Sequence, residues 1–577
     1  MKNYFKLLKE TFEILPLKSR SHLKFIFLAL SIAGILETLS LGLTIPLIAE
    51  ILGTSTDFFS IKSLLGFEDF SKENIIKYLT GLIFFVYLIK AVYLSYLEIY
   101  IQRFVLRVRA LVTLKLFKKY TYSSYESNIN SNSSLLYRNL TSEVANFTSG
   151  IVEPIIMLAK EFFIIFVILL LLFTINIKIS IFIMIFSIIF VFLAKKLLSN
   201  ILKKLSYDEQ NFKGKENQVI LESLQGIKFI KAYNLEEIFN LKLRELLLKF
   251  VKIKSKSTTI RLLPRIWIEF VVITFLIILA FLFLYSGYTI MEYLLFSSIF
   301  LISMIKVMPS LLSALRVLNS LSSYHASINL ITTEFDENYQ KNYKNQNTDN
   351  IKIPKFYENF QCKNITFKYL NSEKILEDLS FEINRNNDVV GIYGESGSGK
   401  TTLVDILIGL LKTDNGNFYL DGKEVSVLDS KNIFGYVPQT IFLFDDTIKN
   451  NILMSLNKNQ TVSDKFLYEV LKKTQLLDLV NSFKDKENTF IGENGAKLSG
   501  GQRQRIGIAR ALICNPKVLI FDEATSGLDK ETEKKVFEDL KKISKDLSIL
   551  IISHNPDIWN YCNKLYEMKN KNLIKIK

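Results

Sequence analysis

The sequence predicts a multidomain membrane protein in which an all-α domain of six spanning helices is followed by an α/β domain. Three observations predict it. Six apolar stretches, about 24–50, 78–100, 151–175, 178–197, 266–287 and 290–312, are near or above the roughly 18–20 residues a helix needs to cross a bilayer. From residue 353 onward, short β-rich runs alternate with helical ones. The charge is also uneven: residues 1–330 hold 37 Lys and Arg against 22 Asp and Glu, and residues 331–577 hold 35 against 34, so nearly all of the net +16 lies in the first part. The domains are therefore drawn at 1–330 and 353–577, with a linker at 331–352.

Taken in order, the first apolar run lies behind about twenty residues containing Lys2, Lys6, Lys9, Lys18 and Arg20. It is too long for a cleavable signal core and is expected to stay as span 1. Before it, Phe5, Leu8, Phe12 and Leu15 recur at helical spacing, which suits a helix in the membrane interface or one packed on protein. After span 1, residues 54–75 mix Asp57, Glu68, Asp69 and Glu73 with Phe58, Phe59, Leu64, Leu65, Phe67 and Phe70, the pattern of a short amphipathic helix. Spans 3 and 4 are joined only by Asn176-Ile177, a tight hairpin. The stretches 101–150 and 198–262 are long, polar and helix-patterned; 101–150 carries seven Lys and Arg, and 195–262 carries fifteen. The opposite side has few, so both termini and both long loops are expected in the cytoplasm. The run 333–350 is poor in apolar residues and reads as the linker.

A pI near 9.3 suggests a nucleic-acid binder, but a mean hydropathy of +0.23 and 45 Phe oppose it. Located on loops beside spans, the positive charge sets orientation and faces anionic lipid, and no nucleic-acid partner is expected. Cys362, Cys514 and Cys562 are far apart with no C-x-x-C, which argues against a disulfide framework or a zinc site.

The run Val389–Tyr393 reads as a buried strand. It leads into Gly394-Glu395-Ser396-Gly397-Ser398-Gly399-Lys400-Thr401 and then into the helical run beginning at Thr402. This is G-x-x-x-x-G-K-[ST] in its strand–loop–helix context, where glycines let backbone N–H groups surround phosphate oxygens. Lys400 would reach the β- and γ-phosphates, and the Thr401 hydroxyl would ligate Mg²⁺. A second strand, Val518–Phe521, ends in Asp522-Glu523. Asp522 would hold Mg²⁺ through water, and Glu523 would polarise the attacking water.

Between these elements stand Leu498-Ser499-Gly500-Gly501-Gln502 and a basic helix. Here the sequence resembles the ABC transporter ATPases, and with six spans ahead of one such domain the whole chain resembles a half-transporter exporter. The resemblance implies the ABC exporter fold: a helical membrane domain, then a P-loop ATPase domain with an antiparallel β subdomain and a helical subdomain. It implies ATP and Mg²⁺, adenine stacking by Tyr369, Mg²⁺ sensing by Gln439, a loop at Glu493 that reports to the membrane domain, and a γ-phosphate switch at His554. It also implies that Leu498 to Gln502 and Asp529 act on the partner subunit's site. With no degenerate motif in the chain, a homodimer would have two competent sites. Gly527 stands where Ala is usual.

Charges within spans are costly and default to functional or paired roles. Seven stand out: Glu37, Lys90, Lys160, Glu161, Arg265, Glu269 and Lys306. Arg265 and Glu269 are one turn apart and can pair, whereas Lys90 and Lys306 have no local partner. Counting about 1.5 Å per residue places Lys90, Lys306 and Arg265 in the inner half of the membrane, where they can line one cavity or reach the headgroups. A basic site in an apolar wall suits an anionic headgroup such as pyrophosphate. Ile35 to Leu52, Pro264 to Glu269 and Lys306 to Ser310 resemble the PglK-type lipid-linked oligosaccharide flippases of bacterial protein glycosylation. That resemblance implies a polyprenyl-pyrophosphate-linked glycan as substrate, membrane lipids as surroundings and the bacterial inner membrane as location. A multidrug or lipid A exporter, or a polysaccharide or peptide exporter, shares every ATPase motif and stays open. Coupling is expected near Tyr125 and near Glu236.

Overall fold

The apolar stretches become helices, most of them longer than a bilayer needs. α1 (Leu17–Leu52) has 36 residues, α2 (Lys72–Tyr122) 51, α3 (Glu153–Ile175) 23, α4 (Ile177–Gln225) 49, α5 (Glu236–Tyr285) 50 and α6 (Ile290–Ser323) 34. At 1.5 Å per residue, a helix of fifty residues extends about 75 Å, more than twice the roughly 30 Å hydrocarbon core. Much of the polar, helix-patterned stretches is therefore extension of α2, α4 and α5, with short helices between. α7 (His325–Glu334) follows α6.

The computed structural model describes residues 17–52, 72–129, 133–175, 177–285, 290–335, 358–369, 372–385, 388–425, 433–456, 460–523, 547–554, 560 and 562–577. The expected N-terminal interfacial helix, most of 54–75, most of the linker, Gly527 and Asp529 lie outside them. Among the described residues, five helical segments are long and apolar enough to cross a membrane: Ser19–Ile48, Glu73–Tyr122, Leu135–Thr174, Ile183–Gln225 and Ser297–Leu321. The other expected span, 266–287, falls on α5 as far as Tyr285.

The chain forms two units, one of Met1–Tyr122 with Ser133–Asn342 and one of Ser123–Asn132 with Tyr343–Lys577. In the first, Leu23, Ile26, Leu30 and Ala33 of α1 pack with Leu97, Ile101, Phe104 and Val108 of α2 at helical spacing. Farther along, Leu41 meets Ile168, Leu172, Ile268, Met304 and Val307. Large apolar side chains such as Phe84, Phe85, Ile188 and Phe192 face outward, which suits lipid contact. Two π-helical turns, Asn139–Glu143 and Thr148–Val152, precede α3; each re-aims the helix face by one residue. Gly150 in the second lies against the Tyr324 ring between α6 and α7, where any Cβ would overlap it.

The second unit has two sheets. A four-stranded antiparallel sheet has the order β2-β1-β4-β5, with β1 Asn359–Lys368, β2 Lys374–Asn384, β4 Asn415–Leu420 and β5 Lys423–Val425. A six-stranded sheet has the order β10-β9-β3-β8-β7-β6. Its strands are β3 Val389–Gly394, β6 Phe434–Val437, β7 Val518–Asp522, β8 Ser548–Ser553, β9 Lys564–Lys569 and β10 Asn572–Lys575. All its neighbouring pairs are parallel except β9 with β10. β7 and β8 are buried along their whole length, which explains their unbroken apolar runs. On one face, α8 (Lys400–Leu407) shares a core with Phe360, Ile365, Val390, Ile392, Ile520 and Ile552. On the other, short helices and α9 (Gly500–Leu512) pack Ile448, Val470 and Ile508 on Leu519, Phe521 and Ile551. These are the antiparallel and helical subdomains the sequence implies. Cys362, Cys514 and Cys562 are free thiols; burial pushes Cys562 up to about 12.

Candidate nucleotide site and a buried charge cluster

The loop between β3 and α8 is shaped by its glycines. Gly397 and Gly399 have φ of +82° and +103°, a region that suits residues without a Cβ. A Cβ on Gly394 would come within 2.9 Å of the Met568 carbonyl oxygen and of Ser398 Oγ. Lys400 Nζ donates to the carbonyls of Gly394 and Glu395, at 2.7 Å each, so the lysine folds back under the loop. Burial lowers the Lys400 ammonium, opposed by the Glu523 and Asp522 carboxylates. Ser398 Oγ is buried with no hydrogen-bond partner among the described residues. A buried orphan hydroxyl above the uncapped start of α8 is a polar vacancy of the kind a phosphate oxygen satisfies. Gly394 to Thr402 therefore fit a nucleotide's phosphates, and Thr401, Gln439 and Asp522 supply the oxygen chemistry that Mg²⁺ prefers. Tyr369 OH lies 3.5 Å from Thr402 Oγ1, at the edge of the same loop.

Adjacency of the parallel strands β6, β7 and β8 brings three separate motifs together. Gln439 follows β6, Glu523 follows β7 and His554 follows β8. Gln439 Nε2 donates to Glu523 Oε2 at 2.8 Å, and His554 Nδ1 lies 3.2 Å from Glu523 Oε1. Glu523 has φ of +50° and its N–H bonds the Ile552 carbonyl at 2.9 Å. Such a backbone costs about 1–3 kcal/mol for a non-glycine residue and persists where surrounding bonds hold it. One carboxylate is thus aimed and held by an amide and an imidazole, an arrangement able to take a proton from a water.

Two further residues belong here that carry no sequence motif. Tyr436 OH donates to Asp522 Oδ2 at 3.3 Å, and burial together with the Asp522 charge raises the tyrosine. Burial raises Asp522 too, with Glu523 adding to it and the Tyr436 bond opposing. Asp405 on α8 is raised from 3.8 to about 6, by burial first and the Asp522 charge second. Their only sequence signal is a polar residue where the helix or strand pattern calls for an apolar one. Tyr125, in the segment that belongs to this unit, is also raised by burial, with Asp405 and Tyr369 adding.

The Leu498–Gln502 segment forms a capping box at the start of α9. Ser499 Oγ accepts from Gln502 N at 3.3 Å and Gln502 Oε1 accepts from Ser499 N at 2.9 Å. Arg503 of the same helix donates back to the Leu498 carbonyl at 3.3 Å.

Family models match twice along the chain: ABC transporter over residues 376–526 and ABC transporter transmembrane region over 26–308. The chain belongs to the ABC transporters. An ATP-dependent lipid A-core flippase of Vibrio parahaemolyticus is 41% identical over 196 residues, covering 33% of each protein. A mitochondrial ABC transporter B family member of Arabidopsis thaliana is 34% identical over 215 residues, covering 37% of this chain and 31% of that protein. The chain thus aligns with about a third of the length of these curated relatives. A bacterial Atm1-family ABC exporter solved with ATP bound has a TM-score of 0.72 at 18% identity, covering 96% of this chain and 95% of that one, so the transporter has that exporter fold.

In the transporter's membrane unit, Lys90 of α2 and Lys306 of α6 meet on one residue of α1. Glu37 Oε2 lies 2.6 Å from Lys90 Nζ, and Glu37 Oε1 lies 3.0 Å from Lys306 Nζ. Lys90 also reaches Ser40 Oγ at 3.3 Å. Both ammonium groups lie near the Tyr87 ring, 5.0 and 5.6 Å from its centre. The sequence offered no local partner for either lysine; helix packing supplies a shared one. Arg265 is not part of this cluster. It pairs with Glu269 at 3.6 Å on an exposed face of α5. Lys160 pairs with Glu98 at 3.4 Å.

Proposed function

We propose that this ABC transporter works as a pair of identical chains that use ATP hydrolysis to flip or extrude an amphipathic lipid with an anionic head, most simply a polyprenyl-pyrophosphate-linked oligosaccharide. The observation that carries the reading is the cluster of Lys90 and Lys306 on Glu37. Two ammonium groups on one carboxylate leave a surplus positive charge among apolar helices, and charge placed there at such cost points to an anionic cargo. Arg265, exposed one turn from Glu269, is the third proposed contact.

In the proposed cycle, Gly394 to Thr402 bind the phosphates, Tyr369 stacks on the adenine, and Ser499 to Gln502 with Asp529 close over the nucleotide on the partner chain. Mg²⁺, held by Thr401, by Gln439 and through water by Asp522, would neutralise charge on the β- and γ-phosphates. Glu523 takes a proton from the attacking water, and His554 senses the γ-phosphate. Helical loops near Tyr125 and Glu236 pass the motion to the spans. The transporter is placed in a bacterial inner membrane with its ATPase domains and termini in the cytoplasm, as the loop charge supports.

The relatives named lipid A-core flippases favour a second reading, a phosphorylated glycolipid, with the same head chemistry. Reconstitution in liposomes with polyprenyl-pyrophosphate glycans, lipid A and hydrophobic dyes decides between them. ATP-dependent movement of the first is expected; movement of dyes alone would overturn an anionic-lipid cargo.

A further inference from the structure

Both lysines are already paired. Each oxygen of the Glu37 carboxylate already accepts from one ammonium group. Glu37 and Lys90 are buried, at 8% and 7% exposure, while the Lys306 side chain is 25% exposed. The cluster therefore has a closed end at Lys90, fixed by Ser40, and an open end at Lys306. Ser40 in turn donates to the Glu37 backbone carbonyl at 2.7 Å, so one turn of α1 presents both the hydroxyl and the carboxylate that Lys90 of α2 reaches.

We infer that Glu37 is a resident competitor for the headgroup and sets the charge a lipid must carry to bind; this rests on the reading of Lys90 and Lys306 as headgroup contacts. Binding a head at this cluster is an exchange of partners. A singly charged head that displaced Glu37 would trade one carboxylate-like partner for another and leave Glu37 buried and unpaired, which costs several-fold more than any hydrogen bond it gains. A head with two or more charges and several acceptor oxygens attracts both ammonium groups more strongly than a single carboxylate does. It also profits from the surplus positive charge at the open end, and so offsets the displacement. Glu37 thereby holds the two like charges together in the resting protein and excludes the monoanionic lipids that make up much of an anionic bilayer. A site built only to bind any anion would need the two lysines without the carboxylate.

The test measures apparent affinity of the reconstituted transporter for a polyprenyl diphosphate and for phosphatidylglycerol, in wild type, Glu37→Gln, Lys90→Met and Lys306→Met. Glu37→Gln keeps the shape and removes the charge. It should tighten phosphatidylglycerol at least tenfold and narrow the diphosphate-to-monoanion ratio accordingly. An unchanged ratio, or equal loss of both lipids, would overturn the inference. If Glu37→Gln does not fold, Glu37→Asp withdraws the carboxylate by one methylene and should narrow the ratio several-fold; there too an unchanged ratio overturns it. The lysine variants separate the two claims. If they leave diphosphate affinity unchanged, the headgroup site itself is wrong. If they lose it while the Glu37 variants keep the wild-type ratio, only the competitor role fails.

Discussion

Glu523 and Glu37 are alike in form and opposite in surroundings. Each is one carboxylate with a different side chain on each oxygen: Gln439 and His554 on the first, Lys90 and Lys306 on the second. Around Glu523 the donors are an amide and an imidazole, the residue is partly open, and its backbone is held at positive φ. Around Glu37 both donors are cations, the group is buried and it lies in an ordinary helix. The difference separates the carboxylate proposed to take a proton from one occupied by counter-charges. Low dielectric strengthens the second pairing and makes each partner expensive to remove.

Substitution should break the two in different ways. The largest effect is expected from Glu523→Gln, which keeps the amide and imidazole neighbours but removes the base. ATP turnover should fall by about 100-fold or more while ATP stays bound; phosphate release and retained nucleotide are the readouts, and normal turnover would refute Glu523 as the base. In the membrane unit, Lys90→Met should cost about 3 kcal/mol, because a buried partner of Glu37 is lost, and Lys306→Met about 1 kcal/mol, because its end of the cluster is partly open. Melting in detergent tests the order, and equal losses would argue against a closed and an open end.

The smallest effect concerns Asp405, beside the first site. Its folded value near 6 lies above the 3.8 of an ordinary aspartate, so the folded protein holds this proton more tightly than the unfolded chain. Its contribution to stability is present below about pH 4 and is lost as the pH rises through about 6. In the nucleotide-free protein, Asp405→Asn should therefore gain on wild type in melting temperature between those pH values and hold a constant advantage above them. A difference independent of pH would refute the shift.

The two sites also differ in how far they can be read from the chain. Gln439, Glu523 and His554 each follow a short apolar strand, and once those strands are parallel neighbours their ends converge without further information. Tyr436 and Asp405 escape because a tyrosine in a strand and an aspartate in a helix look ordinary until their depth is known. Glu37, Lys90 and Lys306 stand out as charges in apolar runs, but nothing in a run gives the rotation of a helix about its axis. That rotation joined Lys90 and Lys306 through Glu37 and left Arg265, paired within its own helix with Glu269, on an exposed face.

By itself the sequence determined the order of a helical membrane domain and an α/β ATPase domain, the phosphate loop, and the residues at the strand ends. These depend on local periodicity, glycine geometry and the hydropathy of contiguous runs, all of which are properties of neighbours in the chain. Only the tertiary structure decided which intramembrane charges share a partner, that Tyr436 holds Asp522, and that the π turns before α3 seat Gly150 on Tyr324. Those depend on the packing of helices and strands from distant parts of the chain, where a rotation of one residue, about 100°, changes every neighbour.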